Sequence, residues 1–171
     1  MTWFRFFLLL HILTAIAVFG PTYVLGLIAG FARKDPRNAL LSTEINEAIE
    51  TKVVLPGGVA MAAFGAALML LGHFSLGRNA WLVAAIIVYA TAYFFALFVQ
   101  RANALKMIAA LKRLGPPPAP QPGAPPAGQG PPPEIAALAR RLQFGGMFLT
   151  LLLTTIIVLM VWHPGCQGIC V

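Results

Sequence analysis

The chain has 171 residues, of which 59% are hydrophobic and only 10% charged, with a mean hydropathy of +0.82 and a formal net charge of +7. Soluble domains carry about a quarter of charged residues, so a water-soluble globular protein is excluded and a membrane protein is expected. The basic excess raises nucleic acid as a partner, but on a membrane chain the positions of the charges decide their meaning. Here they read as a topology signal, so no nucleic-acid partner is expected.

Four apolar blocks stand out, at 6–30, 53–73, 80–99 and 144–162. Each is about the 20 residues that cross a hydrocarbon core of roughly 30 Å. The expected fold is all-α: one domain over 1–171, a polytopic transmembrane four-helix bundle. Arg33, Lys34, Arg37 and Lys52 lie between the first and second spans, and Arg101, Lys106, Lys112, Arg113, Arg140 and Arg141 between the third and fourth. Only Arg5 and Arg78 fall on the other side. The positive-inside rule then places both long loops in the cytoplasm and both termini outside, in a bacterial inner membrane.

The first block, FFLLLHILTAIAVFGPTYVLGLIAG, carries no formal charge and one histidine, His11. Arg5, the apolar run and Ala15-Ile16-Ala17 imitate a secretory signal, but the run continues 13 residues past Ala17 with no polar break, so a retained span is expected. Pro21 removes a backbone hydrogen bond and predicts a kink. Gly26 and Gly30 have the spacing that lets a neighbouring helix approach closely. At about 100° per residue, His11, Ala15, Val18, Thr22 and Gly26 share one face, which turns the histidine toward the bundle.

After a basic cluster, Ser42 or Thr43 can cap a short amphipathic helix at the membrane surface, with Leu41, Ile45, Ala48 and Ile49 on its apolar face. Its acidic residues Glu44, Glu47 and Glu50 could form a catalytic cluster, but a solvated helix face is the expected reading. The second span opens with Pro56-Gly57-Gly58, and Gly58, Ala62, Gly65, Ala66, Met69 and His73 form a small-residue stripe for close packing. Trp81 opens the third span as an interfacial aromatic. Tyr89, Thr91 and Tyr93 follow, the tyrosines being expected to hydrogen-bond neighbours. An amphipathic extension comes next, with Leu105, Ile108, Leu111 and Leu114 as its apolar stripe.

Residues 115–133 contain ten prolines in nineteen positions. Such a segment can form neither helix nor sheet and is expected to be a disordered cytoplasmic linker. Helix resumes at Glu134. Thr150 and Thr154 lie on a face opposite His163, which assigns His163 to the headgroup region. The tail PGCQGICV falls outside, where disulfides form, making Cys166 and Cys170 a disulfide candidate.

Ionisable side chains inside a bilayer are costly and call for a partner, a ligand or a polar cavity. On this topology His11, Met69 and His73 all lie toward the outer side of the membrane. Facing side chains of a helix bundle commonly hold haem, and imidazole and thioether are suitable axial ligands. His11 with His73, or with Met69, is therefore the candidate pair for a haem b in a redox or haem-handling role. Met69, Met160 and Cys166 are soft enough for copper but form no tight motif. The rival reading is a histidine that serves packing, hydrogen-bonding a serine, a threonine or a backbone carbonyl of a neighbouring helix, in a non-catalytic accessory subunit or a transporter-like scaffold, with the lipid bilayer, a membrane-protein partner or a second copy as its company.

Leu10-His11, Glu50-Thr51-Lys52 leading into Val54-Leu55-Pro56-Gly57-Gly58, and Trp81 together resemble an uncharacterised bacterial family of small four-helix integral membrane proteins. That family is distantly similar to HemJ-type protoporphyrinogen oxidases and CopD-type membrane domains. The resemblance implies a haem-associated histidine in the first helix, matching His11. It also implies a functional lysine early in the third, where this chain has Leu82, Val83, Ala84 and Ala85.

Overall fold

The computed structural model describes residues 2–115 and 131–162. The first helix, α1 (Thr2–Lys34), runs unbroken through Pro21. After a 3₁₀ turn at Pro36–Asn38, α2 (Ala39–Ile49) continues through a π-helical segment, Glu50–Val54, into α3 (Leu55–Leu71). The third span repeats the device. Helix α4 (Ala80–Phe94) passes through a second π segment, Phe95–Gln100, into α5 (Arg101–Leu114). The last helix is α6 (Pro133–Trp162). Four continuous helical rods, Trp3–Gly30, Ala39–Leu71, Ala80–Leu114 and Pro133–Trp162, are long and apolar enough to cross a membrane. There is no strand among the described residues.

The rods close into a ring in chain order. Helix α1 packs on α3 and α6, and α4 packs on α6. The α3–α4 side is tied by tyrosines: Tyr89 donates to the Gly58 carbonyl at 2.6 Å and Tyr93 to the Leu55 carbonyl at 3.4 Å. Tyr23 and Thr154 hydroxyls meet at 2.9 Å between α1 and α6. Val18, Phe19, Met61, Leu153 and Ile156 fill the interior. Large side chains such as Leu13, Ile16, Leu70, Ile87 and Leu151 are turned outward, the inverse of a soluble bundle, because lipid tails are as apolar as the core.

Several details differ from the sequence expectations. The helix after the first loop begins at Ala39, not at a Ser42 or Thr43 cap; Ser42 is buried and the Thr43 hydroxyl donates back to the Ala39 carbonyl at 2.7 Å. Helix α2 is also no separate surface helix, since it shares a rod with α3 and packs on α5. In α5 the packed stripe is Ala104, Met107 and Ala110, set against Ile135 and Leu138, while Leu105 and Leu114 are exposed. Trp81, the second residue of α4, is buried against the bundle at 7% exposure. Gly26 is exposed, with nothing within reach of an added Cβ. The small-residue stripe of α3 divides: Gly58 faces the tyrosines, Gly65 faces His11, and Ala62 and Ala66 are exposed.

Candidate functional site

His11 lies half-buried against α3, where its Nδ1 is 3.1 Å from the carbonyl oxygen of Met61. A carbonyl can only accept, so Nδ1 carries the proton and Nε2 keeps the lone pair in the neutral ring. A Cβ added at Gly65 would lie 3.3 Å from His11 Cε1, and one at Gly57 would lie 2.6 Å from Val18 Cγ2. These two contacts fix the antiparallel register of α1 on α3 and bring the backbones close. At His11 the seam between α1 and α3 is closed by direct contact of the imidazole with Gly65 and the Met61 carbonyl.

The same register separates the three candidate ligands. Met69 comes level with Phe6 and Phe7, one helical turn from His11. His73 comes level with Trp3, about 12 Å along the axis at 1.5 Å per residue. His73 is also occupied with a backbone task. Its φ is +53°, its N–H meets the Leu70 carbonyl at 3.3 Å, and the Phe74 N–H meets the Met69 carbonyl at 3.1 Å. That is the left-handed closing pattern of a helix C-terminus, and the Phe74 ring folds over Gly72 to complete it. His11 is thus not brought together with His73. His163, Cys166 and Cys170 lie outside the described residues, as does most of the proline-rich linker.

A different constellation assembles at the loop-side end of the bundle. Glu50, expected on a solvated face, is buried at 6% exposure. Its neighbours form a chain: the Thr51 hydroxyl donates to Glu47 Oε1 at 2.8 Å and accepts from Arg101 Nε at 3.2 Å. Arg101 Nε also stands 3.6 Å from Glu47 Oε1. Glu50 feels both the Glu47 carboxylate and the Arg101 guanidinium, yet its Oε1 is buried without a hydrogen-bond partner. One turn earlier, Asn46 Nδ2 donates to the Leu25 carbonyl of α1 at 3.3 Å while its Oδ1 is buried and unpartnered. Glu44 is the one acid of the three that behaves as expected, in an exposed ion pair with Lys112 at 2.8 Å.

The two π segments stand level with each other beside this cluster, bracketed by the Tyr93–Leu55 and Arg101–Thr51 contacts. A π segment carries one extra residue in a turn and concentrates at functional sites. Here one supplies Glu50 and Thr51 and the other ends immediately before Arg101.

The acidic positions themselves contained the missed signal. Successive steps of three residues fall about 60° short of a full turn, so Glu50 is rotated about 120° from Glu44. That rotation carries it from solvent into the bundle. Among the described residues, no group of three His, Cys, Asp or Glu side chains converges as a metal site.

No curated protein and no protein of solved structure matches the chain. One family model does, over residues 6–164, which is nearly the full length and takes in all four spans as well as the Glu50 and His11 sites. The chain belongs to the family described as predicted integral membrane protein (DUF2269).

Proposed function

We propose that the protein is a transporter-like inner-membrane protein whose working group is Glu50, with its long loops in the cytoplasm and its termini outside. The observation that carries this reading is a buried carboxylate, one oxygen unpartnered, in a π segment at the loop-side mouth of a four-helix ring. Leaving a buried polar atom unpaired is costly, and ionisable groups at membrane depth mark proton and ion pathways. Arg101 and Thr51 hold the neighbouring Glu47 in place, so Glu50 is the group free to exchange a proton or contact a cation. The ten loop-side basic residues support the orientation.

The test is infrared difference spectroscopy of the protein in lipid during a pH jump. A carboxyl C=O band that appears on acidification and is missing in Glu50→Gln supports the assignment. A band unchanged in Glu50→Gln refutes it.

One observation favours a second reading, in which His11 alone ligates a haem through Nε2. A ligating histidine usually donates its other ring N–H to a carbonyl or carboxylate, as His11 Nδ1 does to Met61. A visible spectrum of the purified protein supplied with haem decides it. A Soret band lost in His11→Gln supports this reading, and no pigment removes it.

A further inference from the structure

On the opposite side of the third rod from Glu50, a groove of about 890 Å³ runs between the Phe95–Asn103 stretch and the first half of α6, open to the surroundings. Its two ends differ in chemistry. Phe95, Phe144 and Phe148 line one end, with the Phe95 and Phe148 rings 5.0 Å apart at 69°. Arg140, Arg141 and Asn103 line the other end.

Arg140 and Arg141 are exposed and make no ion pair among the described residues, whereas Arg101 and Lys112 nearby are both paired with glutamates. Arg141 lies three residues before Phe144, where the last apolar block begins, so the two arginines stand at headgroup depth and the aromatics below them in the hydrocarbon. Gly145, which also lines the groove, lets α6 approach the third rod closely there; a Cβ at that position would strike Gln100 Oε1.

We propose that this groove is a binding site for an anionic phospholipid, its phosphate held by Arg140, Arg141 and Asn103 and an acyl chain laid over Phe95, Phe144 and Phe148. Charge complementarity selects this occupant. Two unpaired arginines at the membrane surface attract anionic lipid at about 1 kcal/mol per charge, which two charges convert to roughly a thirtyfold preference over a zwitterionic lipid. Arginine forks suit phosphate oxygens. The site is independent of the Glu50 reading and rests only on the chain being membrane-embedded.

Native mass spectrometry of the full-length protein in detergent, titrated with dioleoyl phosphatidylglycerol or dioleoyl phosphatidylcholine, tests it. The wild type is expected to hold phosphatidylglycerol at a concentration about thirtyfold lower than phosphatidylcholine. Arg140→Gln/Arg141→Gln is expected to lose that preference, while Lys106→Gln/Arg113→Gln, which removes the same charge elsewhere, keeps it. Matching thermal unfolding curves show that all three proteins are folded. Equal binding of the two lipids by the wild type overturns the proposal. So does a preference lost equally in both double variants, which is net charge alone, or a dimer that the arginine variant dissociates, which is a second copy in the groove.

Discussion

His73 and Glu50 show how a residue's position in its helix outweighs its chemical type. His73 has the ligand chemistry of a cofactor site, but its left-handed φ assigns it to closing α3. Glycine adopts that conformation without strain and a β-branched residue does not. His73→Gly is therefore expected to leave thermal stability in detergent unchanged or raised by about 0.5–1 kcal/mol, and His73→Val to lower it by about 1 kcal/mol or more. A large loss in the glycine variant would show that the imidazole itself holds structure. Glu50 makes the converse case. Because one of its oxygens is buried and unpartnered, Glu50→Gln is expected to unfold at the same or a higher temperature, a residue kept at a cost to stability. Marked destabilisation of Glu50→Gln would mean instead that the carboxylate is a structural member of the Arg101 cluster.

At the scale of elements, the helices were legible and their registers were not. Apolar lengths located all four spans, and the α1 face from His11 through Ala15 and Val18 to Thr22 is turned inward as the 3.6-residue period requires. The period fails at Gly26, beyond Pro21, where α1 turns to α2 through the Leu25–Asn46 bond. Helical phase shows which side chains share a face, but not which residue of the next helix they meet. That is set by close contacts such as Val18 on Gly57 and His11 on Gly65.

The π segments were equally hidden, because the apolar period of 50–54 and 95–100 carries no mark of an extra residue in the turn. The glycines give the test: Gly58→Leu and Gly145→Leu are expected to cost about 1–3 kcal/mol by overpacking, read as lowered unfolding temperature. Gly26→Leu, open to lipid, is expected to cost little. Equal losses at all three positions would contradict the packing described.

For the whole molecule, composition was enough to read a four-span, all-α membrane protein, and one family model covers nearly the full chain. The charged loop-side cluster was not readable in advance because it is tertiary: Glu47 and Thr51 come from the second rod and Arg101 from the third, 50 residues on. The basic loops give the orientation test. In intact cells of a Cys166→Ser/Cys170→Ser protein, an impermeant maleimide is expected to miss a cysteine introduced at Lys112 and to reach it after permeabilisation. Labelling in intact cells would reverse the topology.

The proposed chemistry of this bundle sits at Glu50 on the loop side and not at a haem shared by His11, Met69 and His73. Proton flux into proteoliposomes carrying an internal pH dye, under an imposed membrane potential, measures it most directly. Flux is expected in the wild type and in His11→Gln, and its loss in Glu50→Gln. Flux that survives in Glu50→Gln, or that is abolished by His11→Gln alone, would contradict it.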